Sequence, residues 1–171
     1  MSKTPDSSSQ PGLSIDIVIE SQEWNAIPSA EAVIRRAIEA AWSPRRDHAE
    51  VVVLLTDDQS VRTLNGRWRG RDEPTNVLAF PARSAGQDGG APRMLGDIVV
   101  AFGVASREAS AEGQSLLHHL AHLAVHGFLH LLGYDHESPA EAETMESLER
   151  TILARLGVPD PFAMREVDVV P

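Results

Sequence analysis

Residues 116–136, with the sequence LLHHLAHLAVHGFLHLLGYDH, combine a long apolar segment with a glycine and an unusual number of histidines. The apolar residues recur at the spacing of an α-helix from about Leu116 onward. Gly133 follows the last apolar turn, where glycine readily takes the left-handed conformation that closes a helix. We therefore expect an apolar helix over about residues 116–132, ended by Gly133.

The histidines of this helix predict a metal site. His126 and His130 are four residues apart, so both imidazoles project from the same helical face and can share one cation at about 2.0–2.1 Å. The helix stop at Gly133 lets the chain turn back and bring His136 to a third corner. Three protein ligands leave a fourth position open, which is the catalytic rather than the structural arrangement.

Other histidines lie in the same helix, and the alternative is that all of them are ordinary core or surface groups. A row of four along one helix cannot converge on one ion, so we interpret His119 and His122 as core residues or as partners of the ligands. Gly127, beside the first proposed ligand, either leaves room for substrate or allows close packing of another helix.

The nearest familiar motif is HExxH, in which the glutamate after the first histidine is the general base of a metalloprotease. Gly127 occupies that position in this chain. Asp135 or Glu137 would have to replace the missing base. A peptidase is therefore disfavoured but stays an alternative.

The rest of the chain predicts an α+β fold. We expect a single domain with a small mixed sheet of about four strands, about five to six packed helices, and a metal-binding helix of the kind found in zincins. The domain is predicted over residues 13–162, between an N-terminal leader (1–12) and a C-terminal tail (163–171). One predicted strand begins at Leu13, and the others span 50–55, 76–80 and 95–100. The predicted helices lie near 33–42, 104–112, 116–132 and 139–156, and a further helix is predicted from Thr56 to about Trp68.

Two of these helices carry specific expectations. Thr56–Gln59 resembles a capping box, with Val61, Leu64 and Trp68 on one helical face behind it. The last helix starts at Ser138–Glu141 with an N-cap serine, a proline at the first position and a glutamate two positions further on. Its acidic residues predict a solvated face: Glu141, Glu143, Glu146 and Glu149.

Composition sets further limits. The chain has 171 residues and no cysteine, which excludes disulfides, thiolate zinc sites and a cysteine nucleophile. Its formal charge of −10 argues against nucleic-acid binding unless a local basic patch exists. No apolar run approaches the length of a membrane helix and no signal-peptide pattern is present, so we expect a soluble, cytoplasmic protein.

Three blocks of the sequence resemble the YbeY-type endoribonucleases of bacterial ribosomal RNA maturation. The first is HGFLHLLGYDH, residues 126–136, and the second is LN at 64–65 followed by WRGRDEPTNVLAFP at 68–81. The third is LGDI at 95–98. The resemblance extends over about residues 13–162, with departures at Trp68, Asn76 and Ala79 that touch none of the proposed ligands.

This resemblance implies a zinc-dependent endoribonuclease specific for single strands, acting in 16S rRNA 3′-end maturation and ribosome quality control. It implies one Zn²⁺ per chain on His126, His130 and His136, with Arg69 as the functional arginine. The catalytic residues would be Arg69 and His126. The implied partners are single-stranded or ribosomal RNA and the small ribosomal subunit with its proteins, without DNA or membrane.

The residue chemistry around Arg69 agrees with that role. Four arginines and two acidic residues make this the most basic segment of the chain: Arg62, Arg67, Arg69, Arg71, Asp72 and Glu73. A guanidinium beside a metal could bind a phosphodiester, and a spare histidine or Asp135 could handle protons. Two alternatives remain: a metal-dependent hydrolase of peptides or small molecules, and a ribosome-associated binding protein with a structural metal.

Overall fold

The sheet consists of four strands, of which three are parallel and the fourth is antiparallel. Their order is β1-β2-β4-β3, and β3 pairs antiparallel with β4, so β3 forms one edge. The computed structural model describes residues 12–43, 48–83 and 92–163. The strands are β1 (Leu13–Ile19), β2 (Ala49–Thr56), β3 (Val77–Pro81) and β4 (Arg93–Ala101).

Five α-helices and a short 3₁₀ helix complete the described part of the chain. The helices are α1 (Ala30–Ala41), α2 (Asp58–Arg69), α3 (Phe102–Ala111), α4 (Leu116–Leu131) and α5 (Pro139–Arg155). The 3₁₀ helix, Gln22–Ala26, follows β1 and was not predicted. The predicted α+β class, the four-stranded mixed sheet and the single domain are confirmed. Most of the predicted leader and tail lies outside the described residues.

Apolar side chains cover both faces of the sheet, because the strand residues alternate between them. On one face, Val51, Val53 and Ile98 belong to the large core that includes the buried residues of α1, α4 and α5. On the other face, Leu78 and Val99 form a smaller cluster with Val61 of α2. The sheet therefore lies between two helical layers.

Helix α4 is the central helix of the larger layer. Ten of its residues are buried, from His119 to Leu131. The partly exposed positions include the row His118, His122, His126 and His130, which follows the four-residue spacing of one helical face. Packing on the other faces therefore confines these histidines to one strip along α4.

Gly127 allows the close approach of α4 to the sheet. A Cβ at this position would lie 3.1 Å from Ile98 Cγ2 and 3.4 Å from Val77 Cγ2. The packing interpretation of Gly127 is thus supported, but its partners are strands β4 and β3 and not another helix. The absence of a side chain at Gly127 brings the start of the histidine pair close to the edge strand β3.

The start and the exposed face of α2 differ from prediction. The N-cap is Asp57, which accepts a hydrogen bond from Ser60 N at 2.8 Å, while Thr56 is the buried last residue of β2. Val61 is buried as expected, but Trp68 is 64 % exposed and does not share its face. The capping motif was therefore placed one residue too early, and the end of the predicted apolar stripe was wrong.

Within the described residues, no helix has the length and apolar character needed to cross a membrane.

Two glycine substitutions should change stability in opposite directions. Gly96, in β4, has φ +135°, and an added Cβ would collide with the backbone carbonyl of Phe80. Gly66 lies inside α2, where a Cβ would meet Arg71 O at an ordinary 3.6 Å. We expect Gly96→Ala to lower the free energy of unfolding by about 2 kcal/mol or more. We expect Gly66→Ala to raise it by about 0.5–1 kcal/mol.

Urea denaturation followed by circular dichroism measures both changes. An unchanged free energy of unfolding for Gly96→Ala would contradict the close approach of Gly96 to the carbonyl of Phe80.

Candidate metal centre

Three histidines from two adjacent segments converge at the end of α4. One ring nitrogen from each of His126, His130 and His136 lies within 4.8 Å of the others. The Nε2 atoms of His126 and His130 are 3.1 Å apart. Tetrahedral coordination at ~2.05 Å places ligand nitrogens about 3.4 Å apart, so this donor set fits a single small cation such as Zn²⁺.

The turn after α4 places the third histidine. Gly133 has φ +102°, and Tyr134 N donates to Leu129 O at 3.1 Å, which closes the helix as predicted. Asp135 Oδ1 then accepts a hydrogen bond from His136 N at 2.8 Å. These bonds direct the chain back toward α4 and set the position of the His136 imidazole.

His130 is held in the form that binds a metal. Its burial, reinforced by the neighbouring His126 and His136, lowers the pKa of its imidazole below the ordinary value of 6.5. A lowered pKa favours the neutral ring at neutral pH. A neutral imidazole has the free lone pair that coordination requires.

A buried carboxylate on α5 supports the site from behind. Glu149 is 1 % exposed, and its Oε1 lies 2.6 Å from His126 Nδ1 while its Oε2 lies 2.8 Å from His122 Nε2. Burial by itself would raise the pKa of this carboxyl, but the hydrogen bonds from His122 and His126 outweigh burial and lower the pKa to about 2. Glu149 is therefore ionised at neutral pH.

The ionised carboxylate fixes the orientation of His126. A carboxylate can only accept hydrogen bonds, so Nδ1 of His126 carries the hydrogen. The lone pair of His126 Nε2 then points into the space between the three imidazoles. Partners of this kind set the tautomer of a histidine ligand and increase its basicity. Glu149 thus prepares His126 for coordination through Nε2.

The sequence interpretation missed Glu149, because it assigned all four glutamates of the last helix to a solvated face. That assignment is wrong for Glu149. The usable signal was its spacing, four residues after Met145 and three before Ile152, both of which are buried. A carboxylate within an apolar stripe indicates a buried partner.

The remaining histidines of α4 have separate partners. His119 is 4 % exposed, with Nδ1 3.2 Å from Gln114 Nε2 and Nε2 3.5 Å from Glu108 Oε1. His122 contacts Glu149, as described above. These contacts agree with the interpretation of His119 and His122 as core residues or partners of the ligands.

Arg69 lies beside the three histidines. It occupies the last turn of α2, and its Nη2 donates to Ala79 O on β3 at 3.2 Å. Arg69 and the three histidines line one cleft of about 790 Å³, together with Arg71 and Tyr134. The structure therefore brings together the arginine and all three histidines that the sequence singled out.

Arg62 belongs to the same basic segment but pairs with an acidic residue and does not line the cleft. It forms a two-point ion pair with Asp72 at 2.8 and 3.0 Å, and this hydrogen-bonded pair lowers the pKa of the Asp72 carboxyl. The pair neutralises one of the two acidic residues of the basic segment. Of the basic segment, Arg69 and Arg71 are the residues that line the cleft.

Some of the outward backbone groups of the edge strand β3, beside the cleft, are already hydrogen-bonded. Asn76 O and Ala82 N bond to β4, so Val77, Ala79 and Pro81 direct their backbone groups outward. Val77 N already donates to Asn76 Oδ1 at 2.7 Å, Ala79 O accepts from Arg69, and proline has no N–H. An extended peptide could not form a regular ladder along this edge.

A second cleft of about 710 Å³ lies on the other side of His126 and Asn76. Its lining is acidic and histidine-rich, with Glu108, Glu112, Asp160 and His118. The cleft with Arg69 and Arg71 also contains Asp135 and Glu137, whereas the second cleft has no arginine among its lining residues. The two clefts therefore differ in charge, although His126 and Asn76 line both.

Loss of the Glu149 charge should weaken metal binding. We expect Glu149→Gln to reduce zinc affinity about 10- to 100-fold, because the amide is a weaker acceptor for His126 Nδ1–H. Competition against a chromophoric chelator measures this affinity. Glu143→Gln, exposed on the same helix, is the control and should bind zinc like the unmodified protein. Equal affinity of the two variants would show that Glu149 does not act on the site.

The same carboxylate should make stability pH-dependent. Because the pKa of Glu149 is lowered from 4.5 to about 2 in the folded protein, its contribution is fully present above about pH 4.5. That contribution is lost as the pH falls toward the folded pKa. Urea midpoints of the metal-free protein and of Glu149→Gln should therefore converge between about pH 4.5 and 2. A constant difference across this range would contradict an ionised Glu149.

The family model for endoribonuclease YbeY matches residues 17–157 of this chain. A relative from Rhodopseudomonas palustris (strain BisB5) is 58 % identical over 157 residues, which cover 86 % of this chain and 80 % of the relative. One from Bradyrhizobium sp. (strain BTAi1) is 57 % identical over 158 residues, covering 88 % and 93 %. Both bear the name endoribonuclease YbeY.

Among solved structures, the solution structure of TM1509 from Thermotoga maritima is similar, with a TM-score of 0.50 and 23 % identity. The match covers 84 % of this chain and 91 % of that one and concerns the fold. The family model spans the chain from β1 through α5, including all three clustered histidines and Arg69. The chain belongs to the endoribonuclease YbeY family.

Proposed function

We propose that this protein is a zinc-dependent endoribonuclease that cleaves single-stranded RNA in the 3′-end maturation of 16S rRNA and in ribosome quality control. The observation that carries the proposal is the shared cleft of Arg69 with His126, His130 and His136. The names of the relatives support RNA as the substrate. The geometry of the cleft supports a phosphodiester as the reacting group.

One Zn²⁺ per chain would be held by the three imidazoles. When bound, the ion supplies Lewis acidity to the scissile phosphodiester. In this proposal His126 is both a ligand and the catalytic histidine, and Glu149 sets the orientation of its ring. Nitrogen ligands suit zinc, and the chain has no cysteine to compete for it.

Arg69 would bind a non-bridging oxygen of the same phosphate. Its bond to Ala79 O restricts the side chain to the cleft before substrate arrives. A guanidinium held in place stabilises the charge that develops on phosphate without having to reorganise. Asp135, which lines the cleft near His136, is available to exchange protons with the reacting groups.

Two features disfavour the peptidase alternative. Gly127 stands where an HExxH enzyme carries its base, and a Cβ at this position would already make a tight contact of 3.1 Å with Ile98 Cγ2. Two outward groups of β3 are already bonded, Val77 N to Asn76 and Ala79 O to Arg69, so a peptide has no regular ladder to form along this edge.

The burial of the site disfavours a purely structural metal. His126 and His130 are half-buried and His136 is exposed, while the large core is apolar and does not include them. A structural zinc contributes directly to folding. Here the core packs independently of the three histidines, so the metal is expected to serve chemistry.

The proposed setting is the bacterial cytoplasm, at the small ribosomal subunit and its proteins, without DNA or membrane as partner. A chain with a formal net charge of −10 repels phosphates unless they approach a locally basic site. RNA therefore approaches through the arginine-lined cleft. A ribosomal partner would help hold the substrate there.

The test is cleavage of a 16S rRNA 3′-end precursor by zinc-loaded protein. We expect Arg69→Ala to lower kcat/KM about 100- to 1,000-fold while zinc affinity is retained. His126→Ala and chelation should abolish cleavage, while chelation leaves the circular dichroism of the fold unchanged. Arg155→Ala, exposed at the end of α5, is the matched control and should cleave normally.

Three results would contradict the proposal. Cleavage that survives chelation and His126→Ala would place the activity outside this site. Unfolding on chelation would favour the structural metal. Cleavage of an unstructured peptide in place of RNA would favour the peptidase.

A further inference from the structure

Trp68 is the most exposed of the large hydrophobic side chains in the described part of the chain. It is 64 % exposed, whereas Trp24 and Trp42 are 1 % and 8 % exposed. A large aromatic side chain left in water forgoes the free energy of its own burial. A ligand that covers the Trp68 ring would recover this free energy.

The surroundings of Trp68 are aromatic and cationic. Arg67 Cζ lies 5.7 Å from the indole, and the Phe80 ring centroid lies 6.5 Å from it at an angle of 60°. The indole is thus supported from its own helix and from β3, which limits its motion. A supported ring beside a guanidinium is a good surface for stacking by another planar group.

Trp68 is also adjacent to the proposed phosphate-binding residue. Arg69 Cζ lies 6.0 Å from the same Phe80 ring that contacts Trp68. The two residues follow one another in the last turn of α2, where Arg69 lines the cleft with the three histidines and Trp68 is exposed next to Phe80. A phosphate at Arg69 would place the neighbouring nucleoside of the same strand near the indole.

We propose that Trp68 is a stacking site for an unpaired nucleobase next to the phosphate bound by Arg69. This inference rests on the proposed function. Stacking on aromatic side chains is tolerant of sequence, because every base has a π-face. A base within a duplex is already stacked on its neighbours, so the Trp68 site selects single-stranded RNA.

The charges around the site fit this occupant. Arg67, Arg69 and Arg71 attract the phosphates on either side of the stacked base, and Arg62 neutralises Asp72 nearby. An electrostatic groove combined with an aromatic ring is the general means by which proteins bind single strands. An apolar protein segment carries no charge that the three arginines could attract.

The experiment measures binding separately from cleavage. Zinc-loaded protein is titrated with a 2′-O-methyl oligouridine, whose ribose cannot react through a 2′-hydroxyl, and with the same strand carrying abasic sites. Because Trp24 and Trp42 are buried, the change in intrinsic fluorescence reports chiefly on Trp68. We expect the base-bearing strand to quench this fluorescence and the abasic strand to leave it nearly unchanged.

The variants provide the second readout. We expect Trp68→Ala to weaken binding of the base-bearing strand about five-fold or more, and Trp68→Phe to restore most of the affinity. In cleavage, Trp68→Ala should raise KM with little change in kcat. Ile19→Ala, 46 % exposed on the opposite edge strand β1, is the matched control and should bind normally.

Two outcomes would overturn the stacking site. One is equal affinity of Trp68→Ala and the unmodified protein for the base-bearing strand. The other is an equal loss of affinity for the base-bearing and abasic strands, which would show that the indole does not read a base. If the unmodified protein binds through Trp68 but cleaves no RNA, the stacking site stands and the proposed function fails.

Discussion

The architecture of the site depends on how closely α4 approaches the sheet at Gly127. The absence of a side chain there lets the helix axis pass directly over Ile98 and Val77, at the antiparallel edge of the sheet. Apolar packing fills most of the other faces of α4. Of its histidines, His126 and His130 line the cleft at the edge of β3, where the last turn of α2 places Arg69. One tight helix–sheet contact thus brings distant segments of the chain to a common cleft.

Glu149 links this site to the hydrophobic core. An ionised carboxylate at 1 % exposure would be costly without partners, and His122 and His126 are the partners that offset its desolvation. The same bonds tie α5 to the polar strip of α4. A shift of α5 that leaves the apolar packing intact would still rotate His126. The precision of the histidine cluster is therefore a property of helix packing as much as of the ligand spacing.

The parts of the site that depend on local geometry could be predicted from the sequence, and the parts that depend on distant partners could not. The spacing of His126 and His130 and the stop at Gly133 determine the histidine cluster within eleven residues. Glu149 and Trp68 were misplaced because their environments come from helices and strands elsewhere in the chain. Arg69 was identified through the family resemblance, since its neighbour Ala79 belongs to an edge whose position requires the strand order.

The preference for RNA over a peptide depends on which side chain bonds to the outward backbone groups of the edge strand β3. A metal-binding helix beside an open antiparallel edge can hold an extended peptide by backbone pairing. In this protein Arg69 occupies the carbonyl of Ala79 on that edge and presents its remaining donors to the cleft. The residue that occupies a backbone acceptor of this edge is thus the same one that we propose binds phosphate. The acidic lining beyond His126, with Glu108 and Glu112, would repel the charged backbone of an RNA substrate toward the arginine side of the three histidines.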